Sequence, residues 1–257
     1  MATPYLPGKF VWYEHVSNDA KRAQAFYAEV LGWKTLAMPM GAESYEMACF
    51  GDSPDTMVAG YTPPTHGEPA QWLAYVSVDD VDAAAKAAAA NGGKIVDAPS
   101  DIPTVGRVGR IADPHGAELG LLKSSDGDKP DVKEAPAGAF FWNELHTPDP
   151  KAALAFYEKV VGFAHKTMDS AGGAYHIIGR GGVDRGGVSS HMPGETRTHW
   201  LPYVHVRDVD ATIARVAGNG GKVQLGATDI PGIGRFGVFA DPTGAVLAVM
   251  KPVPMPK

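Results

Sequence analysis

Apolar and polar positions alternate in short runs along the chain, broken by Gly, Pro and Asp. Residues 10–16, FVWYEHV, are β-branched and aromatic and predict a strand. Asn18 or Asp19 then caps a helix running to about Leu31, with Gly32 as its left-handed stop. Apolar pairs at Phe26-Tyr27 and Val30-Leu31 recur at i, i+4 and mark the buried face of that helix. Residues 35–62 alternate weakly around the turn signals MGAES and GDSPD and predict hairpin strands. LAYVSV (73–78) predicts another strand, and Asp79 or Asp80 caps an Ala-rich helix that stops at Gly92-Gly93. KIVDAP, RVGRIA and AELGLLK predict three more strands, the last two joined by a DPHG turn.

The same series then repeats. Residues 10–34, 71–96 and 101–123 align with 140–164, 199–224 and 229–251, and 38 of the 74 aligned positions are identical. Identity on that scale makes the halves copies of one unit. In the second copy Asp149-Pro150 is the favoured cap–N1 order. The predicted layout is a domain at 8–123, a polar linker at 124–138 and a second domain at 139–252. Each domain is two βαβββ units, an α+β pattern of antiparallel hairpins beside a crossover helix.

Composition narrows the function classes. The 257 residues include 44% apolar and 20% charged, ordinary for a globular protein long enough to bury its own core. The formal net charge of −6 argues against a general nucleic-acid binder, which needs a basic face. Cys49 is the single cysteine, so neither an intrachain disulfide nor a Cys-rich metal centre is possible. It reads as a small hydrophobe in a strand. No signal peptide and no apolar run of membrane-spanning length is visible, so a cytoplasmic location and no membrane partner are expected. GxSxG, HExxH and paired CxxC are absent, and the glycine-rich stretch 172–187 lacks the features of a phosphate loop.

The duplicated signature, FY followed by LG or VG, then VxDVD, NGG and DPxG, resembles the vicinal oxygen chelate superfamily of glyoxalases, bleomycin-resistance proteins and extradiol dioxygenases. The resemblance covers nearly the whole chain, twice. It implies mixed sheets curled around a cleft with helices outside, but not one reaction, since such families isomerise, cleave or only bind. It also implies four metal-ligand positions. They fall on Trp12 and Trp142, near Gly60 and Ser189, on Leu73 and Leu201, and on Gly120 and Ala248. Trp, Leu, Gly and Ala side chains cannot coordinate a divalent cation. No metal ligand and no cofactor are therefore assigned, and a divalent metal is disfavoured.

Because the family's first ligand points into the cleft, strand alternation makes Trp12, Glu14 and Val16 inward, and likewise Trp142, Glu144 and His146. It also directs Tyr75, His199, Tyr203, His205 and Glu118 inward. The expected ligand contacts are Trp12, Trp142, Tyr75, Tyr203, His199, His205 and Glu118. If the protein is an enzyme, Glu14, Glu144 and His146 are the acid–base candidates. Each also has a structural reading, as a hydrogen-bonded interior residue. Trp72 and Trp200 are expected to face the helices as core. Phe26-Tyr27 and Phe156-Tyr157 are expected to pack helix on sheet. Arg107 and Arg235 are expected to pair with Asp101 and Asp229, His115 to be exposed in its turn, and His66 to sit in a loop. Three functions stay open: a metal-independent binder of a small organic molecule, an enzyme of the lyase, isomerase, dioxygenase or hydroxylase type, and a ligand-free interaction module. The expected assembly is a monomer with pseudo-twofold halves or a homodimer.

Overall fold

The computed structural model describes residues 3–40, 43–170, 173–192 and 194–253. The first half contains β1 (Phe10–Val16), α1 (Ala20–Leu31), β2 (Lys34–Met40), β3 (Glu43–Cys49) and β4 (Met57–Thr62), with a 3-10 turn at Pro54–Thr56. It continues with β5 (Gln71–Ser77), α2 (Val81–Ala90), β6 (Lys94–Ile102), β7 (Gly106–Ala112) and β8 (Glu118–Ser124). The second half repeats the order. Its elements are β9 (Phe140–Thr147), α3 (Pro150–Val161), β10 (Ala164–Ser170), β11 (Gly173–Arg180) and β12 (Val183–Ser190), then β13 (His199–His205), α4 (Val209–Gly218), β14 (Lys222–Ile230), β15 (Gly234–Ala240) and β16 (Val246–Pro252). The predicted turn at MGAES includes Gly41 and Ala42, which lie outside the described residues.

Local chemistry sets the helix ends. Asp19, Asp80, Asp149 and Asp208 each accept a backbone N–H from the first helical turn. Gly32 closes α1 at φ 72°, a conformation that costs other residues a Cβ clash. Within each βαβββ unit the first strand pairs parallel to the fourth, as β1 with β4 and β5 with β8, and the remaining pairs are antiparallel. The order is β2-β3-β4-β1-β5-β8-β7-β6 in one eight-stranded sheet and β10-β11-β12-β9-β13-β16-β15-β14 in the other. The predicted α+β architecture of two tandem halves, each of two βαβββ units, is the one observed.

Packing follows a different division from the sheets. One compact unit comprises Met1–Trp12, Leu73–Val132 and Trp142–Leu201; the other comprises Tyr13–Trp72, Lys133–Phe141 and Pro202–Lys257. Each unit therefore takes one βαβββ segment from each half of the sequence. In the first, α2 packs on α3, and Phe10 lies against Phe163 and Trp200. In the second, α1 packs on α4, Phe26 meets Phe239, and Tyr13 stacks on Phe140 at 3.8 Å.

Trp72, Trp200, Phe26, Tyr27, Phe156, Tyr157 and Cys49 are buried, as expected. Two of these tyrosines also carry a polar duty that packing alone did not suggest. Trp72 Nε1 donates to the Tyr27 hydroxyl (2.8 Å), which donates to Asp241 Oδ2 (3.0 Å). Trp200, Tyr157 and Asp113 repeat the chain in the other unit, at 3.0 and 3.3 Å. Arg107 pairs with Asp101 and Arg235 with Asp229, as predicted, and both also bind a carboxylate on the adjacent helix, Asp82 or Asp210. His66 and His115 are exposed.

Candidate functional site

Strand β9 places Trp142, Glu144 and His146 on one face at two-residue spacing. The side chains converge further than strand rise alone requires. His146 Nε2 lies 3.1 Å from Glu144 Oε1, and His146 Nδ1 lies 2.9 Å from both carboxylate oxygens of Glu195. Glu144 also accepts from Ser189 Oγ (2.9 Å) and from the Tyr175 hydroxyl (3.2 Å). The Tyr175 oxygen in turn accepts from Trp142 Nε1 (3.0 Å). Gly187, opposite Glu144 on β12, makes room for this: a Cβ there would lie 2.0 Å from the Tyr175 hydroxyl.

His199, at the start of β13, completes the cluster. Its ring centroid is 5.3 Å from that of His146. Its Nδ1–H donates to the Arg197 carbonyl (3.0 Å), which leaves Nε2 as the unprotonated nitrogen of the neutral ring. That nitrogen is buried, has no hydrogen-bond partner, and faces Glu195 Oε1 at 4.0 Å. His146, Glu195 and His199 each offer a ligand atom within 4.8 Å of the others. The His146 side chain is 1% exposed, against 14%, 19% and 22% for Glu144, Glu195 and His199, so His146 is the enclosed member and the other three are partly exposed.

The electrostatics are uneven. Burial pushes the His146 imidazolium down, but hydrogen bonds and charge from Glu144 and Glu195 outweigh it and hold the pKa at about 9. Burial pushes the Glu195 carboxyl up, and its bond to His146 more than reverses that. Burial lowers His199, favouring its neutral ring, and raises the Tyr175 hydroxyl. Glu195 escaped the sequence analysis, because strand alternation says nothing about a residue in the β12–β13 connection.

The equivalent place in the first half is simpler. Glu14 accepts from the Tyr45 hydroxyl at 3.3 Å, and Gly60 lies opposite it. The register corrects the sequence alignment: Gly60 corresponds to Gly187, and Ser189 corresponds to Thr62. The partners of the cluster are lost there, since Val16 stands for His146 and Gln71 for His199.

The family's four metal positions hold no ligand set in this fold. Leu73 and Leu201 are buried core, and a Cβ on Gly120 would lie 2.2 Å from the Tyr75 ring. The other proposed contacts are dispersed. Glu118 binds Arg110 (3.4 Å), itself paired with Asp97. Tyr203 is buried and stacks on Phe236. His205 Nδ1 donates to the Ala135 carbonyl (2.7 Å). Trp12 and Tyr75 are partly exposed. The structure thus joins Trp142, Glu144, His146 and His199 in one site and leaves Glu14, Tyr203 and His205 outside its compact unit. No helix among the described residues is long and apolar enough to cross a membrane.

The model of the Glyoxalase/Bleomycin resistance protein/Dioxygenase superfamily matches residues 9–121 and again 140–249. The chain is 37% identical over 255 residues to the Mycobacterium bovis protein named "Putative glyoxylase CFP32", covering 97% of both. It is 30% identical over 263 residues to the anthracycline biosynthesis protein DnrV of Streptomyces peucetius, covering 97% of this chain and 95% of that one. Among solved structures it resembles the Mn(II)-bound glyoxalase from Novosphingobium aromaticivorans (TM-score 0.65, 20% identity, 95% and 82% covered). It also resembles the 2,3-dioxygenase LapB from Pseudomonas sp. KL28 (TM-score 0.60, 14% identity, 100% and 96% covered).

Proposed function

The chain belongs to the Glyoxalase/Bleomycin resistance protein/Dioxygenase superfamily, and from that premise we propose that it binds a small, oxygen-bearing organic molecule beside Trp142, Glu144 and His146. The observation that carries this is the array Glu144–His146–Glu195, with its two carboxylates partly exposed. A ligand hydroxyl can donate to Glu144, whose charge is held by His146, and the Trp142 ring offers a flat apolar face. The relatives' names, a glyoxylase and a protein of anthracycline biosynthesis, are consistent with small oxygenated ligands. The other half, with Val16 and Gln71, lacks the array and serves as an internal control.

The test is a thermal-shift screen of small hydroxy- and oxo-compounds, followed by tryptophan-fluorescence titration of the hits. Glu144→Gln and Trp142→Ala are expected to weaken binding tenfold or more, and Glu14→Gln to leave it unchanged. Equal loss in Glu144→Gln and Glu14→Gln, or no hit at all, sinks the assignment. A second reading, catalysis, is favoured by one feature: a protonated His146 touching a carboxylate on each side, the arrangement of a proton-transfer pair. It predicts product from a bound compound, with turnover abolished in Glu144→Gln while the fold persists.

A further inference from the structure

We propose that His146, Glu195 and His199 form a divalent-metal site, set apart from the four positions that the family resemblance implies. The donor set is two imidazoles and one carboxylate, which suits borderline divalent cations such as zinc, iron(II), manganese or nickel. Three protein ligands leave further coordination positions open for water or an organic oxygen.

Three independent features point to a cation. First, His199 Nε2 is a buried lone pair without a hydrogen-bond donor, and it faces a second acceptor, Glu195 Oε1, at 4.0 Å. Two acceptors facing each other call for something positive between them. Metal–ligand bonds of about 2.0–2.2 Å on each side span that gap with little movement. Second, the opposite ring nitrogen of His146 is already held by a carboxylate, Glu144 (3.1 Å), itself fixed by Ser189 and Tyr175. A metal-ligating histidine commonly donates its other N–H to such a carboxylate, which orients the ring. Third, the pieces occur together. The homologous half keeps the Glu14–Tyr45 pair but has Val16 and Gln71 where the two imidazoles stand. On loading, the ion takes the place of the proton between His146 Nδ1 and Glu195, and that proton leaves to solvent.

The site does not depend on the organic ligand, so the metal alone is the probe. Chelator-stripped, dialysed full-length protein is loaded separately with zinc, iron(II), manganese and nickel, dialysed again, and measured by elemental analysis and thermal unfolding. About one equivalent per chain and a raised melting temperature are expected for at least one metal, in the wild type and in the exposed-histidine control His66→Gln. His199→Gln, which places the first half's own residue type at this position, is expected to lose the bound metal while its metal-free melting temperature stays near wild type. Glu195→Gln is expected to lose the metal with a lowered metal-free melting temperature, because His146 loses a carboxylate partner. Glu144→Gln is expected to bind about 10–100-fold more weakly. No metal at any loading overturns the proposal. So does stoichiometric metal that survives His199→Gln or, should that variant misfold, Glu195→Gln. Because no organic compound is present, failure here leaves the ligand-binding proposal standing, and failure of the compound screen leaves this one standing.

Discussion

Asp113 and Asp241 occupy the same place in the two copies, yet their surroundings push them in opposite directions. Both are buried, and both accept backbone N–H groups of their own turn and one tyrosine hydroxyl. Asp241 also receives His15 Nε2 at 2.6 Å and the Thr243 hydroxyl at 2.6 Å. At the place of His15 the other copy has Leu145. Burial raises both carboxyls. For Asp241 the His15 bond and charge reverse the effect and leave it lowered, whereas Asp113 stays raised. The signs then follow. Asp241 stabilises the fold above its unfolded pKa of about 3.9, and that contribution is lost as pH falls through the lower folded value. Asp113 opposes the fold while ionised, and the cost is relieved as pH falls through its raised folded value. Melting curves from neutral to acid pH should therefore show a weaker acid loss in Asp241→Asn and a steeper one in Asp113→Asn. At neutral pH Asp241→Asn should be the more destabilised. Tyr27→Phe removes one donor from Asp241 and the acceptor of Trp72 Nε1. It should cost about 1–3 kcal/mol, read at roughly 2–4 °C of melting temperature per kcal/mol.

Between neighbouring strands, the site depends on the absence of side chains as much as on their presence. Gly187 sits opposite Glu144 in the β9–β12 ladder, and the Tyr175 hydroxyl fills the space above it. Gly187→Ala should drive Tyr175 off Glu144 and weaken binding at the cluster. Gly60→Ala should displace Tyr45 at the equivalent place and leave that binding unchanged. Isothermal titration of both variants with the same ligand or metal separates the two, and equal effects would show that the tyrosine does not position the site. Such a role is hard to read from sequence, where Gly60 falls near a position the resemblance assigns to a metal ligand and Gly187 ends a glycine-rich stretch that reads as hairpin turns. What was legible follows local rules. The Asp caps, the Gly32 stop and two-residue alternation needed only neighbours along the chain, and they placed Trp142, Glu144 and His146 on one face. Glu195 needed the path of a connection, and the bare Nε2 of His199 needed knowledge of which carbonyl its Nδ1 meets. The offset between copies was also misjudged near Gly60, because a short 3-10 turn adds residues there that the second copy lacks.

Across the molecule, the sheets and the buried cores divide the chain differently. Each eight-stranded sheet is built from one half, but each compact unit takes one βαβββ segment from each half. The Trp72–Tyr27–Asp241 chain joins residues 214 apart at its Tyr27–Asp241 link. The Trp200–Tyr157–Asp113 chain likewise crosses from one half to the other. The first half expressed alone would leave Tyr27 without Asp241 and Asp113 without Tyr157, the second half would lack the matching partners, and either would uncover the helix surfaces of the α1–α4 and α2–α3 contacts. The free-energy cost of orphaned buried polar groups and uncovered apolar area exceeds what a single domain of that size can spare. Each half nevertheless carries both kinds of βαβββ segment, so two copies of one half can rebuild the missing contacts in each other. Residues 1–132 and 133–257, expressed separately, should therefore be folded only as dimers, and mixing them should yield a 1:1 complex with the stability of the intact chain. Sedimentation analysis with thermal unfolding checks both points. A folded, monomeric half would show that the contacts crossing between halves are dispensable, and that the duplication did more than fuse the partners of an ancestral dimer.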